Sequence, residues 1–254
     1  MRNASSPNTQ KPLISLTAVS KDYQLGRIAV PALRGVSLDI ERGAFIALWG
    51  PSGSGKSSLL NLIGLIDMPT RGSVRISDQD TAGLSDGARA ELRNRTIGFV
   101  FQGFNLIPVL SALENVMLPL TIRGTARNAA RKAAEQRLAE VGLADFAHHR
   151  PDQLSGGQRQ RVAIARALVT DPLIVIADEP TANLDANTGH QVIALMRELN
   201  EKQGVTFLFS THDPRLIDAV DKLIRLADGQ IETAPNSTAA LSPIASRHAE
   251  GALS

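Results

Sequence analysis

Ala44-Phe45-Ile46-Ala47-Leu48-Trp49-Gly50-Pro51-Ser52-Gly53-Ser54-Gly55-Lys56-Ser57-Ser58 begins as an unbroken apolar run, turns into glycine and serine, and ends in a lysine followed by hydroxyls. Six consecutive apolar side chains suit a strand buried on both faces of a sheet. Lys56 to Ile66 then reads as a helix that stops before Pro69. Between them, Gly50 to Ser57 fits the phosphate-loop pattern at every fixed position. Its glycines let the chain curl with N–H groups pointing inward, where side chains would obstruct an anion. Lys56 is placed to reach β- and γ-phosphates, the Ser57 hydroxyl to ligate Mg²⁺, and the helix to turn its positive end toward the anion. An apolar strand before and an apolar helix after distinguish this from an ordinary Gly/Ser turn.

Leu173-Ile174-Val175-Ile176-Ala177-Asp178-Glu179 supplies what such a loop lacks. The apolar strand delivers Asp178 to its carboxyl end, where a carboxylate can hold hydrated Mg²⁺. Glu179 comes directly after it, placed to orient or deprotonate a water attacking the γ-phosphate. The last third of the chain alternates strand and helix: Leu173–Ala177, helix Gly189–Lys202, strand Val205–Ser210, short helix Pro214–Ala219, strand Lys222–Leu226. Such alternation predicts an α/β fold with a parallel, doubly wound sheet and ligands at the carboxyl ends of its strands. Nearer the start, Leu13–Val19, Val36–Ile40, Ser73–Ser77 and Ile97–Phe101 read as strands. Between Ser111 and Ala147 the texture is helical, most clearly over Thr125–Val141, where Arg131 and Glu135 stand one turn apart. A further helix, Gln158–Val169, ends at Asp171-Pro172. This helical block interrupts the alternation and predicts a subdomain at the side of the sheet.

Leu154-Ser155-Gly156-Gly157-Gln158 opens that helix with a serine and two glycines, an exposed set of N–H donors suited to a phosphate. This segment resembles the signature motif of ABC-transporter ATPases, and the rest of that family's motifs are present in order. Tyr23 resembles the aromatic that stacks on adenine, and Gln102 the glutamine that joins the metal site to the helical subdomain. Asp185, in Ala182-Asn183-Leu184-Asp185, resembles the aspartate that communicates across a dimer. His212, in Ser210-Thr211-His212-Asp213, resembles the histidine that contacts the γ-phosphate. The resemblance runs from about Leu13 to Glu232. It implies a phosphate-loop NTPase fold with an ABC-type mixed core sheet, an antiparallel β subdomain and a helical subdomain over about 103–170.

The resemblance also implies an ATP hydrolase. Catalysis falls to Glu179, His212, Gln102 and Lys56, the metal to Ser57, Gln102 and Asp178, and the nucleotide to Tyr23, Gly50 to Ser58, Leu154 to Gln158 and Asp185. The signature of one copy is expected to face the phosphate loop of a second, so that two ATP molecules are held between two head-to-tail copies. Arg159, Arg161 and Arg166, on the signature helix, are expected on a solvated face. His148 and His149 are expected at the surface with no metal role.

A narrower likeness lies in Leu60 to Gly72, Ile97 to Gln102, Phe104 to Pro108 and Glu114 to Leu120. These stretches are similar to the branch that includes lipoprotein-release, macrolide-export and cell-division ATPases, which work through membrane permeases that transmit force across the membrane. The alternatives are the ATPase of a polar amino-acid importer and that of a cell-division-type complex without cargo transport. Trp49 and Gly103 depart from the usual pattern, Trp49 by bulk and Gly103 by the loss of a larger polar residue. A long coiled coil, as in DNA-repair relatives, has no room where Gln102 and Leu154 are separated by only 52 positions. A ribosome-acting relative would carry two cassettes in one chain, and a kinase would lack Leu154–Gln158.

Composition bounds the partners. Twenty-seven Lys and Arg against 25 Asp and Glu leave a net charge of +2 in 254 residues, which does not indicate a nucleic-acid binder held by general positive charge. With no cysteine there is no disulfide framework, thiolate metal site or cysteine nucleophile. The longest apolar run, Ala44–Trp49, falls far short of the roughly 20 residues of a membrane helix. With no such segment here, the family resemblance implies a membrane permease supplied by another chain as partner, with the protein peripheral at the cytoplasmic face of the inner membrane. Residues 1–12 and 233–254 are expected to be loose tails.

Overall fold

In the computed structural model, the residues described are 11–232. The tails expected over 1–12 and 233–254 lie outside them, apart from Lys11 and Pro12. Among the described residues, ten strands and six α-helices begin with β1 (Ile14–Leu25), β2 (Ile28–Ile40), β3 (Phe45–Trp49), α1 (Lys56–Ile63), β4 (Arg71–Ile76), β5 (Gln79–Asp80), α2 (Asp86–Thr96) and β6 (Ile97–Val100). The helical block holds α3 (Ala112–Ile122), α4 (Arg127–Glu140) and α5 (Gly156–Leu168). The chain then alternates through β7 (Ile174–Ala177), α6 (Ala186–Gln203), β8 (Thr206–Thr211), β9 (Lys222–Ala227) and β10 (Gln230–Ile231).

The strands form two sheets. The larger has the order β10-β9-β3-β8-β7-β6, with β9, β3, β8, β7 and β6 parallel and β10 antiparallel at the edge. The smaller, β2-β1-β4-β5, is antiparallel throughout. The core sheet is thus mixed, as the family resemblance implies, while alternation alone anticipates only its parallel strands.

Side chains alternate between the two faces of the core sheet and divide the core. Phe45, Ala47, Val175, Ala177, Phe207 and Phe209 pack on one face with residues of α3, α4, α5 and α6. Ile46, Leu48, Ile174, Ile176, Leu208 and Ile224 pack on the other, with α1 and the antiparallel sheet. Phe45 meets Phe207 and Phe209 with ring centroids 5.7 and 5.3 Å apart. This is why the central strands read as continuous apolar runs: neither face meets water.

Several elements differ from the sequence reading. β1 and β2 form a hairpin longer than expected, because register shifts and the left-handed Ala18 (φ 47°) break the alternation that marks a strand. The helix after the loop ends at Ile63, and Leu65 turns left-handed at φ 54°. α2 is absent from the sequence reading: it buries no residue fully, so no apolar stripe announces it, although Ser85 caps it by accepting from the N–H of Ala88.

The helical block is tied internally by Asn115, which is fully buried. Its side chain accepts from the N–H of Ile107 (2.8 Å) and donates toward the carbonyls of Ile107, Leu110 and Ser111 (3.2, 3.1 and 3.0 Å). Asn115→Ala strips the partner from those main-chain groups, and we expect a loss of about 2–3 kcal/mol in urea unfolding with an unchanged slope. A loss under about 0.5 kcal/mol would remove Asn115 as the tie of this segment.

Candidate functional site

Parallel pairing brings the chemistry to one edge of the sheet. Trp49 lies opposite Thr211 and Ala177 opposite Phe209, so the residues beyond the ends of β3, β7 and β8 emerge on the same side. There a cavity of about 530 Å³ is lined by Tyr23, Ala32, Ser52, Gly53, Gly55, Lys56, Ser57, Ser58, Gln102, Asp178 and Glu179. All of these except Ala32 are among the residues singled out for nucleotide, metal or catalysis; Glu179 and Gln102 reach the cavity from separate loops. Ala32, on β2, escapes the sequence reading, as nothing in its type or spacing points to a ligand.

The loop is held from beneath. Gly55 adopts φ 104°, and a Cβ there would stand 2.6 Å from the carbonyl oxygen of Ala32. The Lys56 ammonium is buried and donates to the carbonyls of Gly50 and Pro51 at 2.7 and 3.0 Å, clasping its own loop. The Ser54 hydroxyl is buried and has no hydrogen-bond partner. α1 begins at Lys56 with no side-chain cap and no acidic residue in its first turn, which leaves its N–H groups to an anion.

The Asp178 carboxylate and the Glu179 main chain are held by one residue to which the sequence reading gives no role. Ser210, buried at the end of β8, donates from its hydroxyl to Asp178 Oδ1 (2.7 Å) and accepts from the N–H of Glu179 (2.8 Å). Asp178 presents its other oxygen to the Ser57 hydroxyl at 3.3 Å. Glu179 holds a left-handed backbone, φ 46°, which a non-glycine residue keeps only where its surroundings impose it. His212 Nδ1 stands 3.1 Å from Glu179 Oε1. Ser57, Gln102 and Asp178 offer a hydroxyl, an amide oxygen and a carboxylate, all hard oxygen donors of the kind Mg²⁺ selects. Three such donors fill only part of an octahedral shell, which suits a cation that keeps much of its water.

Tyr23 is partly exposed, with the Lys21 ammonium 4.9 Å from its ring centroid. Trp49 ends β3 under the loop with Arg225 over its ring at 5.5 Å. None of Leu154 to Gln158 lines the cavity that holds Lys56. Ser155 caps α5 instead: its hydroxyl accepts from the N–H of Gln158 (3.2 Å), and Gln158 Oε1 accepts from the N–H of Ser155 (2.8 Å). Gly157 lies against α6, where an added Cβ would come within 2.6 Å of the Thr188 methyl. Asp185 caps α6 by accepting from the N–H of Thr188 (3.0 Å). Hydrogen bonds from the side chain and N–H of Thr188 hold its carboxyl below the usual carboxylate range. In one chain, therefore, the helix starts at Ser155 and Asp185 stand apart from the residues that line the loop cavity.

The expectation of a solvated arginine face on α5 is overturned. Arg166 donates to the carbonyls of Phe104 and Asn105 (2.7 and 2.5 Å), Arg161 to that of Val141 (3.2 Å), and Arg159 stacks over the Phe104 ring at 5.1 Å. Loop and helix-end carbonyls lack main-chain partners, and a guanidinium satisfies them while its stem is buried. His148 is exposed, whereas His149 is half-buried and tilts against Phe146, centroids 5.2 Å apart.

Known proteins resemble this chain over most of its length. The sequence model of the family described as ABC transporter matches residues 33–182. The lipoprotein-releasing system ATP-binding protein LolD of Anaeromyxobacter dehalogenans is 54% identical over 221 residues, 87% of this chain and 92% of that protein. The macrolide export ATP-binding/permease protein MacB of Syntrophobacter fumaroxidans is 49% identical over 87% of this chain, which spans only 31% of that longer protein. Among solved structures, a dimeric ATP-binding cassette in a post-hydrolysis state, bound to ADP and Pi, superposes with a TM-score of 0.79. It is 46% identical and covers 87% of this chain and 97% of its own. Motif order, the mixed sheet with its antiparallel companion, and these likenesses agree: the chain belongs to the ABC transporter family, as an ATP-binding cassette.

Proposed function

We propose that this chain is the ATP-hydrolysing subunit of a transporter of the lipoprotein-release or macrolide-export type. It would act as two head-to-tail copies that drive a separate membrane permease. The observation that carries the reading is the separation of the two half-sites: loop, Asp178, Glu179 and His212 share one edge, while Ser155, Gly157 and Asp185 lie elsewhere. Two copies set head to tail would close each loop cavity with the other's helix starts. The cassette would span 13–232, with residues 103–170 as its helical subdomain.

In this reading the loop N–H groups, the start of α1 and Lys56 bind the phosphates, and Tyr23 stacks on the adenine. Ser57, Gln102 and Asp178 would hold Mg²⁺, whose charge offsets that of the β- and γ-phosphates. Glu179 accepts a proton from water as its oxygen attacks the γ-phosphorus. The bond to the β–γ bridging oxygen breaks, and ADP leaves with the electron pair. Ser210 holds Asp178 and the Glu179 main chain in place, and His212 is fixed by Glu179 beside the γ-phosphate. Ser155 and Gly157 of the second copy donate to that phosphate, so its loss loosens the dimer.

Support for the branch comes from the two relatives, whose names join ATP binding to lipoprotein release and to macrolide export. The second also names a permease within one polypeptide. Among the described residues no helix is long and apolar enough to cross a membrane, so attachment at the cytoplasmic face of the inner membrane would be through the permease.

Lys56→Ala should lower Mg²⁺-dependent ATP hydrolysis by on the order of a hundredfold, because the phosphate charge loses its cation. Full activity in that variant would refute the ATPase reading. Glu179→Gln should keep ATP bound, stop turnover and run as a dimer in sizing chromatography with ATP; monomers alone would refute closure by ATP.

A further inference from the structure

The loop between β6 and α3 is held by side chains from elsewhere in the fold. Phe104 and Asn105 both hold left-handed backbone, with φ 62° and 47°. Non-glycine residues keep such a conformation only where their surroundings over-determine it. Here the surroundings are three side chains from two distant parts of the sequence. Arg166 grips both left-handed residues by their carbonyls, at 2.7 and 2.5 Å. Arg159 lies over the Phe104 ring. From the segment between β7 and α6, Asn183 Nδ2 donates to the carbonyl of Gln102 itself, at 2.8 Å.

The placement of this loop is unusual in a second way. Gln102 lines the loop cavity with Ser57, Asp178 and Glu179. Phe101, Asn105 and Arg166 line a separate cavity of about 650 Å³, bounded also by α2 and α3. A few residues of chain therefore stretch from one cavity to the other, and their course is set by charge-assisted bonds to main-chain carbonyls. The charge of Arg166 is committed to those two oxygens, and burial lowers its pKa.

We propose that Arg166 and Asn183 are positioning residues for Gln102. Arg166 fixes the turn that carries the chain away from Gln102, and Asn183 fixes its carbonyl; together they aim the Gln102 amide at the Asp178 side of the cavity. Because Arg166 belongs to the helix that begins at Ser155, and Asn183 lies two residues before Asp185, the aim of Gln102 depends on both halves of the second half-site. The inference rests on the ATPase reading, and adds two residues that touch neither nucleotide nor metal.

Asn183→Asp tests it with little change of shape, since a carboxylate oxygen then faces the Gln102 carbonyl. In the full-length chain we expect kcat to fall on the order of tenfold while KM for ATP stays within about twofold. The Mg²⁺ concentration needed for half-maximal binding of a fluorescent ATP analogue should rise, and its binding without Mg²⁺ should not change. Arg166→Lys, which reaches one carbonyl where Arg166 reaches two, should give a smaller fall of the same kind. In a Gln102→Ala background, Asn183→Asp should lower kcat no further, because its effect passes through Gln102. Arg161→Ala is the control on the same helix and should leave kcat unchanged.

Asn183→Asp and Arg166→Lys behaving like Arg161→Ala would overturn the proposal. So would a fall in kcat matched by a fall in thermal midpoint and in the number of nucleotide-binding sites, or an undiminished effect of Asn183→Asp without Gln102. The ATPase reading would stand through any of these, since Lys56→Ala tests it separately.

Discussion

Everything at the site hangs on the register of three parallel strands. β3 pairs with β8 from Phe45 opposite Phe207 to Trp49 opposite Thr211, and β8 pairs with β7 from Thr206 opposite Ile174 to Phe209 opposite Ala177. A slip of one residue would move every side chain of a strand to the other face. It would drive Phe45 and Phe207 out of the α5–α6 core and would also carry Asp178 or His212 away from the phosphate loop. Fold stability and site geometry thus share one constraint. Burial on both faces is what makes the register strict.

Ser210 shows how that constraint becomes chemistry. It is the penultimate residue of β8, fully buried, and it bonds at once to the Asp178 carboxylate and the Glu179 main chain. The strained Glu179 backbone is thereby tied to the rigid sheet and not left to a free loop. Acid–base and metal-binding roles need side chains held to fractions of an ångström, and a strand end supplies that better than a connection does.

Legibility in the sequence depends on the kind of interaction. Lys56, Asp178 and Glu179 stand out because the roles proposed for them demand fixed residue types at fixed distances from apolar strands. The central strands stand out because both faces are dry. α2 leaves no trace, having no buried stripe, and the β1–β2 hairpin reads short because its bulges erase alternation. Arg166 and Asn183 lie within or beside recognisable motifs, yet their roles are invisible there. Their partners are main-chain carbonyls, which carry no residue type, so no pattern of letters records the bond. Ser210 is unmarked for a different reason: it is an ordinary strand serine until the Asp178 carboxylate and the Glu179 N–H are seen beside it.

A single copy keeps its phosphate loop and its signature helix apart, and hydrolysis is proposed to need their meeting between copies. The chain contains no cysteine, so single thiols can be placed without background. Ser52→Cys and Ser155→Cys, each made in the Glu179→Gln chain, can be mixed and treated with a short thiol cross-linker. Head-to-tail closure predicts an ATP-dependent cross-link joining one variant to the other, absent when the Ser155→Cys chain is omitted. Equal cross-linking without ATP, or none in the mixture while ATP is bound, would contradict it.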